Sequence, residues 1–391
     1  MEIAERLRCI KPSATLSVNA KTLELKAQGV DIISLAVGEP DFPTPAHVCD
    51  AACAAIREGF NRYTAVPGIP ALRKAVGGYY DRQYGICPPP ESVIVSNGGK
   101  HALYNLMQAL LNAGDEVLIP APYWVSYPDM VALAQATPVI VRAGVDKGFK
   151  VTPDMLEAAR TARTRMLIMN SPSNPTGAVY TADEFNAIMR WAMDHDVFVI
   201  SDEIYDQLVF APAVMTSALP WWQQYPDKVA VCNGVAKSFA MTGWRVGYTV
   251  AHPDLVKKLA TLQGQCTSNV CSIAQRAALA ALEGSYDCVK SMNVAFARRR
   301  DAAYGKVRTW EKARCPRPDG AFYIFADVSA YFREGMQNSS EVCTRLLEEA
   351  HVALVPGIAF GDDNCIRFSY AVNDTVLEQA LEKIGAVLCG K

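Results

Sequence analysis

The stretch VAVCNGVAKSFAMTGWRVGYTV, residues 229–250, places two apolar runs on either side of a loop of small residues. Residues 229–232 and 246–250 have the composition of buried strands, and the loop between them contains Lys237 and Arg245. The apolar neighbours of Lys237 would desolvate its amine, lower its pKa and make it a better nucleophile. The planar guanidinium of Arg245 suits a carboxylate or a phosphate. Taken alone, the stretch favours a plainer interpretation, with a solvated lysine and an arginine in a structural ion pair.

Two earlier stretches also carry polar residues where an apolar strand ends. MLIMNSPSNPTG (166–177) runs into Asn174, and VFVISDEIYD (197–206) runs into Asp202 and Tyr205. Open parallel sheets bind ligands just beyond the carboxyl ends of their strands. We therefore expect these side chains to meet Lys237 in one site.

Apolar strand patterns alternate with helical patterns from Ser92 onward. Seven short runs have strand character: SVIVS, EVLIP, PVIVR, MLIMN, VFVIS, VAVCN and VGYTV. This alternation predicts an α/β fold whose large domain contains a seven-stranded, mostly parallel sheet flanked by helices.

The domain organisation follows from where this alternation starts and stops. We predict a large domain over 44–283, beginning with a helix started by Thr44 and Pro45. Residues 284–391 change character and predict a connecting helix and a smaller α+β domain. Residues 1–43 form an N-terminal arm that joins this small domain, with Ser13 or Thr15 as the expected cap of its helix.

Composition excludes several classes of partner. The formal net charge of -2 gives no basic field, so neither nucleic acid nor an anionic membrane is expected as a partner. No apolar run is long enough to span a bilayer, and the first fifteen residues lack an apolar signal core. The 12 cysteines form no CxxC pair and the 5 histidines are scattered. We expect reduced, mostly buried thiols, with Cys49, Cys53, Cys232 and Cys343 inside apolar segments, no metal site and a cytoplasmic location.

NPTG, SDEIY and NGVAK, followed by Arg245, together resemble the class I, fold type I, pyridoxal phosphate-dependent aminotransferases. The resemblance extends from KPSAT near the start of the chain to RFSYA near its end. KPSAT, AVGEPDF, APYWVSYP and NSPSNPTG are most similar to the bacterial aspartate aminotransferase subgroup. This resemblance implies a homodimer in which Lys237 binds pyridoxal phosphate covalently and moves the substrate's α-proton.

The resemblance also implies which residues contact the cofactor. The ring is held by Asp202 at the nitrogen, by Asn174 and Tyr205 at the hydroxyl and by Trp124 through stacking. The phosphate is held by the backbone near Gly99 and Lys100, by Arg245 and by Tyr63 of the second subunit. A glycine pair before a helix exposes backbone N–H groups to an anion. Without the resemblance, the glycine pair would be a tight turn, Asp202 a helix cap and Trp124 a core residue. Many relatives have a serine three residues before the lysine, where this chain has Gly234.

A second set of residues is implied for the substrate. Arg367, in CIRFSYA, clamps the α-carboxylate, Gly38 allows close approach, and Asn174 and Trp124 face the substrate. Aspartate aminotransferases of the animal type bind the distal carboxylate with an arginine, but the matching segment here, QGQCTSNV (263–270), has no cation. We expect Lys100 to replace that arginine, with Thr15 and Lys11 closing over the same end. Alternatively, Lys100 only neutralises the phosphate.

The predicted function is transfer of an amino group, with aspartate and 2-oxoglutarate as the favoured pair. Aromatic amino acids or prephenate are alternative substrates, and a pyridoxal phosphate-dependent lyase is an alternative reaction because relatives share these motifs. A ligand-binding regulatory protein that retains the cofactor is a further alternative, and absence of turnover would favour it.

Overall fold

The computed structural model describes residues 2–8, 10, 12 and 14–390. Within these ranges the chain forms twelve β-strands in three sheets and thirteen α-helices. The strands are β1 (Ile33–Ser34), β2 (Val93–Ser96), β3 (Glu116–Ala121), β4 (Thr137–Arg142), β5 (Thr164–Asn170), β6 (Phe198–Asp202), β7 (Val229–Gly234), β8 (Gly247–Val250), β9 (Tyr323–Asp327), β10 (Val352–Ala353), β11 (Val355–Pro356) and β12 (Cys365–Ser369). The helices are α1 (Ala14–Ala27), α2 (Ala46–Arg57), α3 (Pro70–Tyr84), α4 (Gly99–Leu110), α5 (Tyr127–Leu133), α6 (Pro153–Ala159), α7 (Ala182–Asp194), α8 (Leu219–Gln224), α9 (Pro253–Cys266), α10 (Ser272–Glu283), α11 (Asp287–Val307), α12 (Ser339–Ala350) and α13 (Asp374–Cys389).

The largest sheet has seven strands in the order β2-β8-β7-β6-β5-β3-β4. Strands β3 to β7 pair in parallel, whereas β8 is antiparallel to both β2 and β7. The predicted α/β fold with a mostly parallel seven-stranded sheet is therefore confirmed. Because Val231 pairs with Val250 and Gly234 with Gly247, the loop that carries Lys237 is closed at its base by two paired strands.

Both faces of this sheet are buried, which explains why its strands are continuously apolar. Val199 and Val231 pack into the core on one face, and Ile200 and Ala230 pack into the core on the other. Successive side chains of a strand point to opposite faces, so helices must cover both. The rigid sheet that results fixes the positions of the polar residues at its strand ends.

A second group of elements is built mainly from the C-terminal part of the chain. Strands β11, β12 and β9 form an antiparallel sheet, and residues of α11, α12 and α13 pack with it in a separate apolar core. Strand β1 pairs in parallel with β10, so a segment near the N-terminus joins this group. The domain boundaries at 43/44 and 283/284 stay a prediction.

Both predicted helix starts lie within two residues of the observed ones, but neither Thr44 nor Thr15 caps its helix. Helix α2 begins at Ala46 without a side-chain cap, because the Thr44 hydroxyl instead donates to the Ala240 carbonyl oxygen at 2.8 Å. That hydroxyl also accepts a hydrogen bond from Trp244 Nε1 at 3.1 Å, so Thr44 holds the lysine loop. Helix α1 begins at Ala14, which places Thr15 inside the helix rather than at its cap. Ser13 lies outside the described residues.

The prediction of mostly buried thiols is also wrong. The eleven cysteines among the described residues are free, but only Cys232, Cys343 and Cys365 are buried. Helix α2 buries Val48, Ala52 and Ala55, so Cys49 and Cys53 occupy other faces of that helix and Cys53 is exposed. An apolar segment alone does not tell which helix face a cysteine occupies.

The described residues contain neither a membrane-spanning helix nor a cluster of metal ligands. No described helix has both the length and the apolar character needed to cross a membrane. No three His, Cys, Asp or Glu side chains within the described ranges lie close enough together to hold a metal ion.

Candidate active site

A cavity of about 270 Å³ lies beyond the carboxyl ends of β5, β6 and β7, against the sheet formed by β9 and β12. We call it the central cavity. Eleven of the twelve predicted site residues line it: Thr15, Gly38, Gly99, Lys100, Trp124, Asn174, Asp202, Tyr205, Lys237, Arg245 and Arg367. The strands are in register at this edge, since Asn170 pairs with Asp202 and Asp202 with Cys232. Residues distant in sequence therefore meet at one place, as expected for an open parallel sheet.

Lys237 projects into the central cavity from the loop after β7. Its Nζ donates a hydrogen bond to the Gly38 carbonyl oxygen at 2.5 Å and lies 5.9 and 5.8 Å from the ring centroids of Tyr205 and Phe322. Burial lowers the pKa of Lys237 to about 8, with a further lowering by Arg245 and Arg367 that Glu39 and Asp202 oppose. A larger share of the amine is therefore unprotonated near neutral pH, as a nucleophilic lysine requires.

Asp202 ends β6 and is buried beside the cavity. Its Oδ2 accepts a hydrogen bond from the Tyr127 hydroxyl at 2.6 Å, and its Oδ1 accepts one from the Ile204 N–H at 3.3 Å. Burial raises the pKa of Asp202 to about 6, although both hydrogen bonds and the charge of Lys237 lower it. A carboxylate in this environment gains most from a cationic N–H partner, because burial has removed much of its hydration.

Arg245 also lines the cavity and lies against the N-terminus of α4. Gly98, with φ 84°, precedes the helix, and a Cβ at that position would lie 2.5 Å from Arg245 Nη2. Arg245 itself has φ 56°, and its Nη1 donates to the Thr242 carbonyl oxygen at 2.9 Å. Free N–H groups at a helix start and an adjacent guanidinium form a suitable site for an anion. The glycine is required for this close packing.

The absent serine at position 234 has a steric explanation. A Cβ on Gly234 would lie 2.8 Å from the Val246 carbonyl oxygen and 3.0 Å from Gly247 Cα. The paired strands β7 and β8 leave no room there for a side chain unless the backbone shifts. Near this position, the groups that could hold an anion are the start of α4 and Arg245.

Arg367 lies on β12 and is only 2% exposed. Its Nη1 donates to Asn174 Oδ1 at 3.1 Å, its Nη2 donates to the Ala36 carbonyl oxygen, and its Nε has no partner. The two acceptors are neutral, and burial lowers the pKa of Arg367. Neutral acceptors do not balance the positive charge of a buried guanidinium, so an anionic ligand would be bound strongly there.

Lys100 and Thr15 also line the central cavity. Lys100 Nζ is 5.0 Å from the ring centroid of Trp124, within the range of a cation–π contact. Burial lowers the pKa of Lys100, as does the nearby Arg245, whereas Asp129 raises it. Thr15 contributes from α1. The predicted contribution of Lys11 lies outside the described residues.

Among the predicted site residues that the structure describes, Tyr63 alone does not line the central cavity. It is 91% exposed in the single chain. Its predicted role, to reach the phosphate in a neighbouring subunit, stays a prediction.

Two tyrosines of the site are missing from the sequence-based set. Tyr127, in the quoted APYWVSYP, contacts Asp202, and Tyr323, in GAFYIFADV, lines the cavity beside Arg367. The sequence could have indicated Tyr127, because it lies three residues after Trp124, where the loop after a strand leads into a helix. No local signal marks Tyr323, which resembles any buried aromatic of a strand.

Comparison with known proteins gives matches over nearly the whole chain. Residues 30–384 match the family model "Aminotransferase class I and II". The chain is 45% identical over 395 residues to the aspartate/prephenate aminotransferase of Cereibacter sphaeroides, covering 99% of each chain, and 44% identical to the aspartate aminotransferase of Geobacillus stearothermophilus, covering 98% of each. The aspartate aminotransferase of Thermus thermophilus with maleate matches with a TM-score of 0.93 at 41% identity, covering 99% of this chain and 100% of the other. The aspartate aminotransferase of Rhizobium meliloti matches with a TM-score of 0.95 at 37% identity, covering 100% of this chain and 99% of the other.

Proposed function

The chain belongs to the class I and II aminotransferase family, whose members are pyridoxal phosphate-dependent, and we propose that it transfers the amino group of aspartate to 2-oxoglutarate. The observation that carries this proposal is the position of Lys237. Its amine, with a pKa lowered to about 8, shares one cavity with Asp202 and with Arg245.

The residues present fit pyridoxal phosphate. The start of α4 and Arg245 form a cradle that a side chain at Gly98 would fill, and this cradle suits a phosphate dianion. Asp202 is a buried carboxylate that suits a protonated pyridine nitrogen. We propose that Asn174 and Tyr205 contact the ring hydroxyl, that Trp124 stacks on the ring and that Lys237 binds the cofactor covalently.

The chemistry divides between the cofactor and the side chains. When bound, pyridoxal phosphate supplies an electron sink for the negative charge left at the substrate α-carbon. Arg367 holds the α-carboxylate and so orients the bond from the α-carbon to its hydrogen. The Lys237 amine then removes the proton from the α-carbon and returns it during product formation, acting first as base and then as acid.

The cavity also supports a preference for dicarboxylic substrates. Lys100 and Thr15 both line the central cavity and are available to a second carboxylate. The relatives named above act on aspartate and, for the Cereibacter sphaeroides enzyme, on prephenate. Prephenate is therefore the second candidate substrate, because it also carries two carboxylates.

Two further properties belong to this proposal. We propose a homodimer, supported by the exposure of Tyr63, and a cytoplasmic location, supported by eleven free cysteines in the described part of the chain.

The experiment that tests the function combines absorbance and product analysis. Protein loaded with pyridoxal phosphate should change absorbance on addition of aspartate and recover on addition of 2-oxoglutarate, with one oxaloacetate and one glutamate formed per cycle. A lyase would release ammonia and no glutamate. Lys237→Ala is the matched control and should show no turnover. Absence of turnover by the wild-type protein with all common amino donors would overturn the proposal.

A further inference from the structure

Tyr323 lies where the two halves of the central cavity meet. It is the first residue of β9, it is 1% exposed, and it pairs across the sheet with Ser369 of β12. Its hydroxyl oxygen is 2.8 Å from the Tyr205 hydroxyl oxygen, and Cζ of Arg367 lies 4.7 Å from the centroid of its ring. One side chain therefore touches both the residue proposed for the cofactor hydroxyl and the residue proposed for the substrate carboxylate.

The contacts of Tyr323 form part of a closed ring of four residues. Arg367 Nη1 donates to Asn174 Oδ1 at 3.1 Å, and Asn174 Nδ2 lies 3.5 Å from the Tyr205 hydroxyl oxygen. Tyr205 contacts Tyr323, and the Tyr323 ring contacts Arg367. A shift of any member therefore changes the position of the other three.

The loop that carries Gly38 packs against the same hydroxyl. A Cβ at Gly38 would collide with the Tyr323 hydroxyl oxygen, so only glycine allows the loop this close. The Gly38 carbonyl oxygen in turn accepts the hydrogen bond from Lys237 Nζ. Tyr323 thus limits how far this loop can move into the cavity.

The direction of the hydrogen bond between the two tyrosines follows from the proposed role of Tyr205. Burial raises the pKa of both tyrosines, so both keep their protons. If the Tyr205 proton points to the cofactor hydroxyl oxygen, the Tyr205 oxygen remains as an acceptor, and Tyr323 is the donor. Hydrogen bonds in such a chain strengthen one another.

We propose that Tyr323 is a positioning residue with two separable parts, an inference that rests on the proposed function. Its ring supports the guanidinium of Arg367, which binds the substrate carboxylate. Its hydroxyl donates to Tyr205 and so makes Tyr205 a stronger donor to the ring oxygen of the cofactor.

Tyr323→Phe separates the two parts because it keeps the ring and removes the hydroxyl. A weaker hydrogen bond from Tyr205 leaves more negative charge on the ring oxygen, which then holds the proton on the lysine-linked nitrogen more tightly. The pH at which half of the bound cofactor has changed its absorbance should rise by about 0.3–1 unit. This is the shift expected from the loss of one neutral hydrogen bond. The dissociation constant of maleate, measured by absorbance, should change less than about threefold, because the ring still supports Arg367.

Tyr323→Leu removes both parts and should weaken maleate binding by about two- to tenfold, since Arg367 loses one aromatic face and keeps that of Phe360, whose ring centroid is 4.8 Å away. Thermal unfolding shows whether this variant folds. If it does not, Tyr323→Met, which keeps apolar bulk without an aromatic face, takes its place. Unchanged maleate binding in the folded variant would overturn the proposed role of the ring.

Tyr370→Phe is the matched control. Tyr370 is as buried as Tyr323, and its hydroxyl donates to the Ala321 carbonyl oxygen at 3.2 Å, outside the lining of the cavity. This variant should leave the absorbance midpoint unchanged. An unshifted midpoint in Tyr323→Phe, or equal shifts in both variants, would overturn the inference while the proposed function stands. A wild-type protein that binds no pyridoxal phosphate would overturn the proposed function as well.

Discussion

Arg299 holds Asp41 with both arms of its guanidinium, with Nη1 2.7 Å from Oδ1 and Nη2 3.0 Å from Oδ2. Arg299 lies on α11, and Asp41 belongs to the loop that contains Gly38. Because Gly38 accepts the hydrogen bond of Lys237, this ion pair connects the long helix to the position of the lysine amine.

The first prediction concerns this ion pair. The side chain of Arg299 is 7% exposed and that of Asp41 27%, so Asp41→Asn removes the bidentate charge partner of a largely buried guanidinium, which keeps its longer contact from Nε to Asp374 Oδ1 at 3.4 Å. We expect a loss of roughly 2–3 kcal/mol in the free energy of unfolding, below the range for a fully buried pair, and a higher KM. Denaturant unfolding and steady-state kinetics measure the two effects.

Asp287→Asn is the matched control for Asp41→Asn. Asp287 lies on the same helix as Arg299 and pairs with Lys290 at the surface, with side chains 85% and 77% exposed. We expect a loss of at most about 0.5 kcal/mol and an unchanged KM. Equal effects of the two variants would show that the pair of Arg299 and Asp41 has no special role.

The second prediction concerns the reactivity of Lys237. Borohydride reduction of protein mixed with pyridoxal phosphate, followed by peptide mapping, should place the label on Lys237. The rate of capture should rise with pH to a midpoint near 8, because the pKa of Lys237 is lowered to about 8 and the unprotonated amine reacts. A label on Lys100 or Lys74 would contradict the assignment.

The third prediction concerns Glu203, which is buried on the far side of β6 from the cavity. It accepts hydrogen bonds from the Ser201 and Ser217 hydroxyls and from the Ala218 N–H. Burial raises the pKa of Glu203 from 4.5 to about 7, while these hydrogen bonds lower it. The folded state therefore binds more protons than the unfolded state in this window, and stability falls as pH rises from 4.5 to about 7.

Glu203→Gln removes this proton uptake and keeps acceptors and donors for the same partners. At about 1.4 kcal/mol per pKa unit, the wild type should lose roughly 2–3 kcal/mol relative to the variant across that window. Denaturant unfolding at several pH values measures the difference. Parallel stability curves for the two proteins would contradict the assignment of a raised pKa.

The sequence was enough to predict which motif residues meet at the edge of the sheet, because each motif ends a strand of a parallel sheet. The partners of Asp202 and Tyr205 could not be predicted. Tyr127 is 75 residues from Asp202, and Tyr323 is 118 residues from Tyr205, so only the packed fold brings them together. The direction of β8 was equally hidden, since an apolar run such as VGYTV is the same in a parallel or an antiparallel strand.

Contacts made by a side chain outside its own element also escaped prediction. Thr44 has the sequence of a helix cap, but its hydroxyl reaches the Ala240 carbonyl oxygen across the lysine loop. Tertiary contacts of this kind override local capping preferences.

The fourth prediction is that the chain forms a homodimer with shared active sites. Tyr63 is 91% exposed in one chain, and its proposed target is the phosphate site of the partner. Lys237→Ala and Tyr63→Ala chains, each impaired alone, should form a heterodimer in which one site has both intact residues. Activity should then recover toward one functional site per heterodimer. A heterodimer that forms, as shown by differently tagged chains, yet recovers no activity would contradict shared sites.

The last prediction assigns Lys100 to the distal carboxylate of aspartate or glutamate. The segment 263–270 cannot supply the charge: it contains no cation, and Gln263 is buried and donates to the carbonyl oxygens of Val66 and Val95. Lys100 lines the central cavity, and its ammonium nitrogen lies 5.0 Å from the ring centroid of Trp124.

Lys100→Ala should distinguish this role from simple neutralisation of the phosphate. A hydrogen bond to a charged group contributes roughly 1.5–3 kcal/mol, so kcat/KM for aspartate should fall about ten- to a hundredfold or slightly more. With phenylalanine or alanine as donor it should change little, because these substrates have no second carboxylate. Lys257→Ala, which removes an exposed surface lysine, is the control and should leave both donors unaffected. Equal losses for both donor types, or faster loss of pyridoxal phosphate on dialysis, would instead assign Lys100 to the phosphate.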